Sequence, residues 1–212
     1  MYGINLVTVL GKVITDPEPV RLGKSEGYGY LVDGSHDSVP SPGHTRGVRL
    51  WCFTFWQAFG REYQLTRDDY VLMEGCLFTP PKTLYAQVGE RNWSLALSGK
   101  PLAVLEKPMF KFCQRESKSI LTGRVIPPGI EEHLAKSSGK PYVQFSLHHE
   151  AEIWTGNRWR HFEGYVRCCY NILDGSEDAI VPGAVLLCRG GLLNWGEKNR
   201  VWMWCSQVES FA

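Results

Sequence analysis

The stretch Asn5-Leu6-Val7-Thr8-Val9-Leu10-Gly11-Lys12-Val13-Ile14-Thr15-Asp16-Pro17-Glu18-Pro19 constrains this chain more than any other. Its apolar, β-branched residues read as a strand. A glycine inside a β run marks a bulge, a bend or a close backbone approach. Here Gly11 interrupts the run and a base, Lys12, follows it. Pro17 ends the run because it has no amide hydrogen to give to a ladder. A strand that bends in its middle is what a small closed barrel needs at its corners.

The same pattern returns later. Val9-Leu10-Gly11-Lys12-Val13-Ile14 matches Leu121-Thr122-Gly123-Arg124-Val125-Ile126, and Val71–Leu77 matches Val185–Leu192 with one extra residue. Between these pairs each half has a strand ending in an aromatic, Phe53-Thr54-Phe55-Trp56 and Cys168-Cys169-Tyr170. Each half closes with a base-rich turn and a strand, Glu90–Leu97 and Lys198–Trp204. Four matches in the same order indicate two copies of one barrel. The division expected is 1–108 for the first unit, 109–118 for a short polar linker and 119–212 for the second. Elsewhere, short β runs separated by Gly, Pro, Asn and Asp predict an all-β chain with few helical segments. Gln57–Leu65 reads as about two helical turns, and Ile130–Lys136 as another turn or two. Asn171–Val181 and the stretch from Gly23 to Gly47 read as loops, the latter polar and flexible.

The first unit's opening, an apolar strand, Gly-base, an apolar pair and Asp-Pro-Glu, resembles the start of bacterial single-stranded DNA-binding proteins. In that family an aromatic-ended strand is followed by a short helix and an apolar strand with Glu-Gly-x-Leu. Here Trp56, Gln57–Leu65 and Glu74-Gly75-Cys76-Leu77 take those places. In the second half Tyr170 and Gly191-Leu192 do so. The resemblance implies two tandem five-stranded OB-fold barrels in one chain. It also implies single-stranded DNA as partner, action in DNA replication, recombination or repair, no catalysis and no cofactor. Because the family works with four barrels, it implies a homodimer.

Composition sets the manner of binding. Net charge is +1, so attraction to phosphate must come from local patches. Eight Trp among 212 residues favour stacking instead. Single-strand binders offer aromatic faces to bases and Lys/Arg to phosphates. The richest place is Ile153-Trp154-Thr155-Gly156-Asn157-Arg158-Trp159-Arg160-His161-Phe162. Thr-Gly-Asn is a turn signal, so Trp154 and Trp159 lie on the two arms of a hairpin, with Arg158 and Arg160 beside the second. The family's matching hairpin carries base-stacking Trp, and Phe162 lies near one such position. The competing reading is a cross-strand aromatic pair that stabilises the hairpin alone.

By resemblance Trp56 and Tyr170 match an aromatic that faces DNA; burial is the alternative for each. Trp195, with Lys198 and Arg200, lies on the last hairpin, a loop OB-folds use to grip oligonucleotides. Its first-half equivalent, Pro80–Arg91, has Tyr85 but no Trp. Lys12 and Arg124 follow the bend glycines and are candidates for phosphate, or ordinary solvated bases. The first barrel has fewer stacking residues than the second, so the second is expected to carry most of the binding.

Enzyme chemistry has little support. His148 and His149 are adjacent, so a strand would hold them on opposite faces, and no zinc-site spacing exists. No phosphate loop or dinucleotide fingerprint is present. Seven Cys, an odd number with no C-x-x-C pair, read as small core residues of a reduced chain. With no signal peptide and no apolar run of about 18 residues, no membrane is expected. The expected location is the cytoplasm, at the nucleoid. The chain stops directly after its last strand, at Gln207–Ala212, without the family's acidic tail, so recruitment of replication or recombination proteins by that route is not expected. RNA remains open as a partner, since stacking does not distinguish the sugars. The alternative is an OB-fold interaction subunit of a replication, recombination or transcription complex, with weak or no DNA binding.

Overall fold

The computed structural model describes residues 3–34, 47–55, 65–89, 95–105, 117–135, 138–172, 176–195 and 200–211. The first half contains β1 (Asn5–Val13), β2 (Glu18–Leu22), β3 (Ser25–Asp33), β4 (Arg49–Thr54), β5 (Tyr70–Phe78), the helix α1 (Lys82–Gln87) and β6 (Ala96–Leu105). The second contains β7 (Ser117–Val125), β8 (Glu131–Leu134), β9 (Pro141–Trp154), β10 (Trp159–Asn171), β11 (Val185–Trp195) and β12 (Arg200–Ser210).

Each half closes on itself. β1 pairs with β5 along most of its length and with β3 at its end, while β4 meets β6 in parallel through Cys52↔Leu97. In the second half β7 pairs with β11 and β9, and β10 meets β12 in parallel through Cys168↔Met203. The result is two five-stranded barrels of identical strand order, as the repeat implies. β2 and β8 hang on the edges of β3 and β9.

The bend glycines explain the closure. Just after Gly11 the strand reaches β3, where Lys12 faces Asp33, while Gly11 and Lys12 still pair with Val71 and Tyr70 of β5. A Cβ there would lie 2.7 Å from the Asp33 carbonyl oxygen, and one at Gly123 would lie 2.7 Å from that of His148. Any side chain would push the closing strands apart.

β1 also pairs with β7, so the two barrels share one continuous sheet. Under the alignment of Val9–Ile14 with Leu121–Ile126, the residue corresponding to Val7 is Ser119. These two residues face each other in the β1–β7 ladder. The barrels are therefore related by a local two-fold axis through that pair. One buried cluster, including Val7, Val9, Met73, Leu121, Leu147 and Met203, runs through both halves.

Several expectations need correction. Ile130–Lys136 does not form a helical turn: Glu131–Leu134 is β8, an edge strand laid on β9 from Gln144 to Pro141. Leu134, on this edge strand, is 70% exposed. Pro80–Arg91 is not simply a loop, because α1 starts directly after Pro81. Within Gly23–Gly47, residues 25–33 are strand β3. A 3-10 turn, Ser176–Ala179, lies inside Asn171–Val181. Of the Gln57–Leu65 helix, residues 57–64 lie outside the described residues, as does most of the linker; β7 already begins at Ser117. Five of the six described cysteines are buried and all six are free thiols. No described helix is long and apolar enough to cross a membrane.

Candidate nucleic-acid interface

Strand alternation sorts the side chains of β9 and β10 into two faces. The pairs Ile153/Arg160, Ala151/Phe162, His149/Gly164 and Leu147/Val166 lie on one face. Trp154/Trp159, Glu152/His161, Glu150/Glu163, His148/Tyr165 and Ser146/Arg167 lie on the other.

The first face turns inward. Near the barrel it carries core residues such as Leu147, Val166 and Cys168. Farther out, Ala151, Ile153 and Phe162 leave their own barrel and pack on the first one, against a cluster with Trp51, Phe53, Phe55 and Phe78. Phe162 meets Phe78 edge-on, with centroids 5.2 Å apart. Two seams fix this docking. Ser25 Oγ donates to Thr155 Oγ1 at 2.9 Å, with Asn157 Oδ1 at 3.0 Å. On the opposite side Asn194 Oδ1 accepts from the Arg49 amide, and Asn194 Nδ2 donates to the Arg49 carbonyl at 3.2 Å. Near the axis Asn5 Nδ2 donates to Leu77 O at 2.8 Å and lies 3.2 Å from both Glu150 O and His149 Nδ1. His149 is buried, and burial pushes its pKa down to about 4.

The second face looks out to solvent. Trp154 and Trp159 pair across the strands, 5.6 Å apart and tilted by 57°. Trp159 is 62% exposed, so the pair stabilises the hairpin and still offers aromatic surface. Gly156, at φ 86°, makes the turn that brings them together. Further down the same face Tyr165 is 56% exposed and lies 5.0 Å from the His148 ring. The Arg167 guanidinium lies 5.1 Å over the Trp202 ring, which it covers. Arg124 faces His148 in the β7–β9 ladder and donates to the Gly183 carbonyl at 3.0 Å. Between the tryptophans and Tyr165 the stem is acidic: Glu150 and Glu163 oppose each other, and Glu163 accepts from or approaches His148 Nε2 at 3.2 Å.

The remaining candidates fall as follows. Tyr170 is 7% exposed and joins the core cluster, so it is not available to stack on a base. Phe162 is half-buried against the first barrel. Lys12 is ion-paired with Asp68 at 2.5 Å. Arg158 is exposed at the hairpin turn and Arg160 is half-buried on the inward side. Arg200 is exposed and pairs in register with Trp195, next to the Asn194 seam. Trp56 and Lys198 lie outside the described residues. Tyr165, Arg167 and His148 were not among the sequence candidates, although counting every second residue from Trp159 along β10 reaches the first two.

The first barrel's equivalent surface is covered. By the matching closing bridges, Trp51 and Phe53 stand where Arg167 and Cys169 stand in the second barrel. α1 lays Leu84, Tyr85 and Val88 over them. The Phe53 ring lies 6.1 Å from both Phe78 and Tyr85, edge-on to each. Gly29, in the Gly27-Tyr28-Gly29-Tyr30 motif, makes room: a Cβ there would lie 2.8 Å from Val88 Cγ1 and 2.9 Å from Phe53 Cε1. Among the described residues no group of three or more His, Cys, Asp or Glu could hold a metal ion.

Two closed five-stranded barrels of this strand order, joined through their first strands, make this a tandem OB-fold protein. Its fold is that of a two-barrel single-stranded DNA-binding protein, as solved structures bear out. The crystal structure of the wild-type single-stranded DNA-binding protein of Thermus aquaticus superposes with a TM-score of 0.64 at 16% identity, covering 100% of this chain and 95% of that one. A deletion mutant of the same protein gives 0.66 at 16% identity, covering 100% and 96%. The PriB protein of Ralstonia solanacearum covers 44% of this chain and 97% of its own, at 21% identity and a TM-score of 0.36. No family model and no curated protein sequence matches the chain.

Proposed function

We propose that this protein binds single-stranded DNA, without catalysis, on the outward face of its second barrel. The observation that carries the reading is the contrast between equivalent surfaces. The first barrel's is sealed by α1 and the docked hairpin; in the second, Cys169, Leu193 and Trp202 are buried beside Tyr142, but Trp159 and Tyr165 are exposed, with Trp154 half-buried, beside the exposed Arg167, Arg124 and Arg158. Bases stack on the aromatic faces and phosphates meet the guanidiniums. Stacking contributes about 1–3 kcal/mol per base, so a few such contacts suffice without a strongly basic chain. The exposed Arg200 extends this surface at the last hairpin. The role in the cell is protection of single strands during replication, recombination or repair, in the cytoplasm at the nucleoid. RNA would stack on the same surface.

The assembly proposed is a homodimer carrying four barrels. Ile4, just before β1, and Leu6, on β1, at 49% and 42% exposure, supply apolar surface for a second copy. Light scattering is expected to give twice the chain mass of 24.0 kDa; a mass equal to one chain would overturn the dimer. Titration with oligo-dT, followed by Trp fluorescence at low salt, tests the binding: quenching is expected, and its absence favours the alternative of an OB-fold interaction subunit. That alternative draws support from the acidic stem around Glu150 and Glu163, which repels phosphate.

A further inference from the structure

The inward side of the hairpin carries a charge that has no counterion among the described residues. Arg160 stands opposite Ile153 on the side of β10 that faces the first barrel. Its guanidinium lies against the β2–β3 turn: a Cβ added at Gly23, where φ is 66°, would be 2.4 Å from Nη2 and 3.4 Å from Cζ. Arg160 Nε is buried and makes no hydrogen bond. The nearby acid Glu26 is engaged by Arg21 at 2.7 Å, and Glu163 lies on the other face with His148. A half-buried guanidinium without an anion is costly, because desolvation is not offset by any opposite charge. An uncharged side chain would pack against Gly23 at lower cost.

Two further cations lie at the same junction. Lys24, exposed, follows Gly23 in the β2–β3 turn, and Arg158, exposed, lies in the hairpin turn. The Ser25 contacts with Thr155 and Asn157 hold the two turns together.

We propose that this junction is a phosphate subsite shared by the two barrels. It rests on the reading that the second barrel binds single-stranded DNA, and it adds the path the strand takes. A strand stacked on Trp154 and Trp159 passes over the hairpin turn, where Arg160, Arg158 and Lys24 hold a backbone phosphate. The strand then continues along the first barrel. That barrel contributes charge at the crossing rather than a stacking surface.

The test is the salt dependence of binding by the intact chain to oligo-dT of about 30 nucleotides, longer than one OB-fold covers. Wild type is compared with Lys24→Gln, Arg160→Gln and Arg160→Lys. Each lost phosphate contact is expected to lower the slope of log K against log salt by about 0.7. Lys24→Gln and Arg160→Gln should therefore flatten it, and Arg160→Lys should retain most of it. Lys24 is exposed, so its substitution reports on the site without disturbing packing. An unchanged slope in both glutamine variants would overturn the subsite. A drop in thermal stability with the slope intact would likewise make Arg160 a packing residue. Absence of any binding by wild type would instead remove the DNA reading itself.

Discussion

The two barrels share a strand order and a closing bridge, yet they use the same surface in opposite ways. β9 and β10 run 14 and 13 residues, while their counterparts β3 and β4 run 9 and 6. The extra length of the second pair reaches across the local axis and seals the first barrel. The first barrel answers with aromatic side chains, Trp51, Phe53 and Phe55, where the second has Arg167, Cys169 and Asn171. One half has therefore become a foundation and the other a working surface. A repeat in sequence does not imply a repeat in role.

That contrast can be broken most forcefully at Phe53. It is fully buried among Trp51, Phe78 and Tyr85. Phe53→Ala is expected to cost about 3–5 kcal/mol of stability in urea unfolding. Cys169→Ala, at the corresponding place in the second barrel, should cost about 1 kcal/mol. Equal losses would mean that the two surfaces are packed alike.

Acid should come next. His149 sits at the junction of the barrels, its Nε2 buried without a hydrogen-bond partner and its pKa held near 4 by burial and by His148. The unfolded chain takes up a proton at the ordinary histidine pKa, near 6.5. The stabilisation from the neutral folded ring is thus whole above that pH and is lost as pH falls toward 4. The loss is on the order of 3 kcal/mol. Urea midpoints at pH 7 and pH 5 should capture about 2 kcal/mol of it, and His149→Asn should flatten the difference.

Trp154→Ala and Trp159→Ala should each weaken oligo-dT binding by about 1–3 kcal/mol. Trp51→Phe, in the covered face, should leave affinity unchanged in the same fluorescence or anisotropy titration. An equal effect of Trp51→Phe would place DNA on the first barrel as well. The smallest effect expected is a gain: Glu163→Gln removes one repelling charge from the stem, and should tighten binding by less than about 1 kcal/mol, most visibly at low salt.

Much of this was legible in the residues. The Gly11 and Gly123 bends, the order of the repeats and the Thr-Gly-Asn turn all act locally, through backbone geometry that a short stretch determines. What the sequence could not reveal depends on distant partners. Ile130, His133 and Leu134 have helical spacing, but β9 offers an edge, and pairing along it decides for a strand. Tyr170 matches by resemblance an aromatic that faces DNA, yet it is buried in the second barrel's core. Phe162 looks like a stacking residue until the first barrel is seen beneath it. Tyr165 and Arg167 were within reach, since every second residue from Trp159 shares its face.

The meeting of Val7 with Ser119 has a wider consequence. When two identical chains assemble about an axis, every substitution is written into both copies, so a change that helps one side is imposed on the other. Here the axis falls inside a single chain, and each position can vary alone. That freedom is what lets one barrel fill its surface with aromatic packing while its twin leaves Trp159 and Tyr165 exposed.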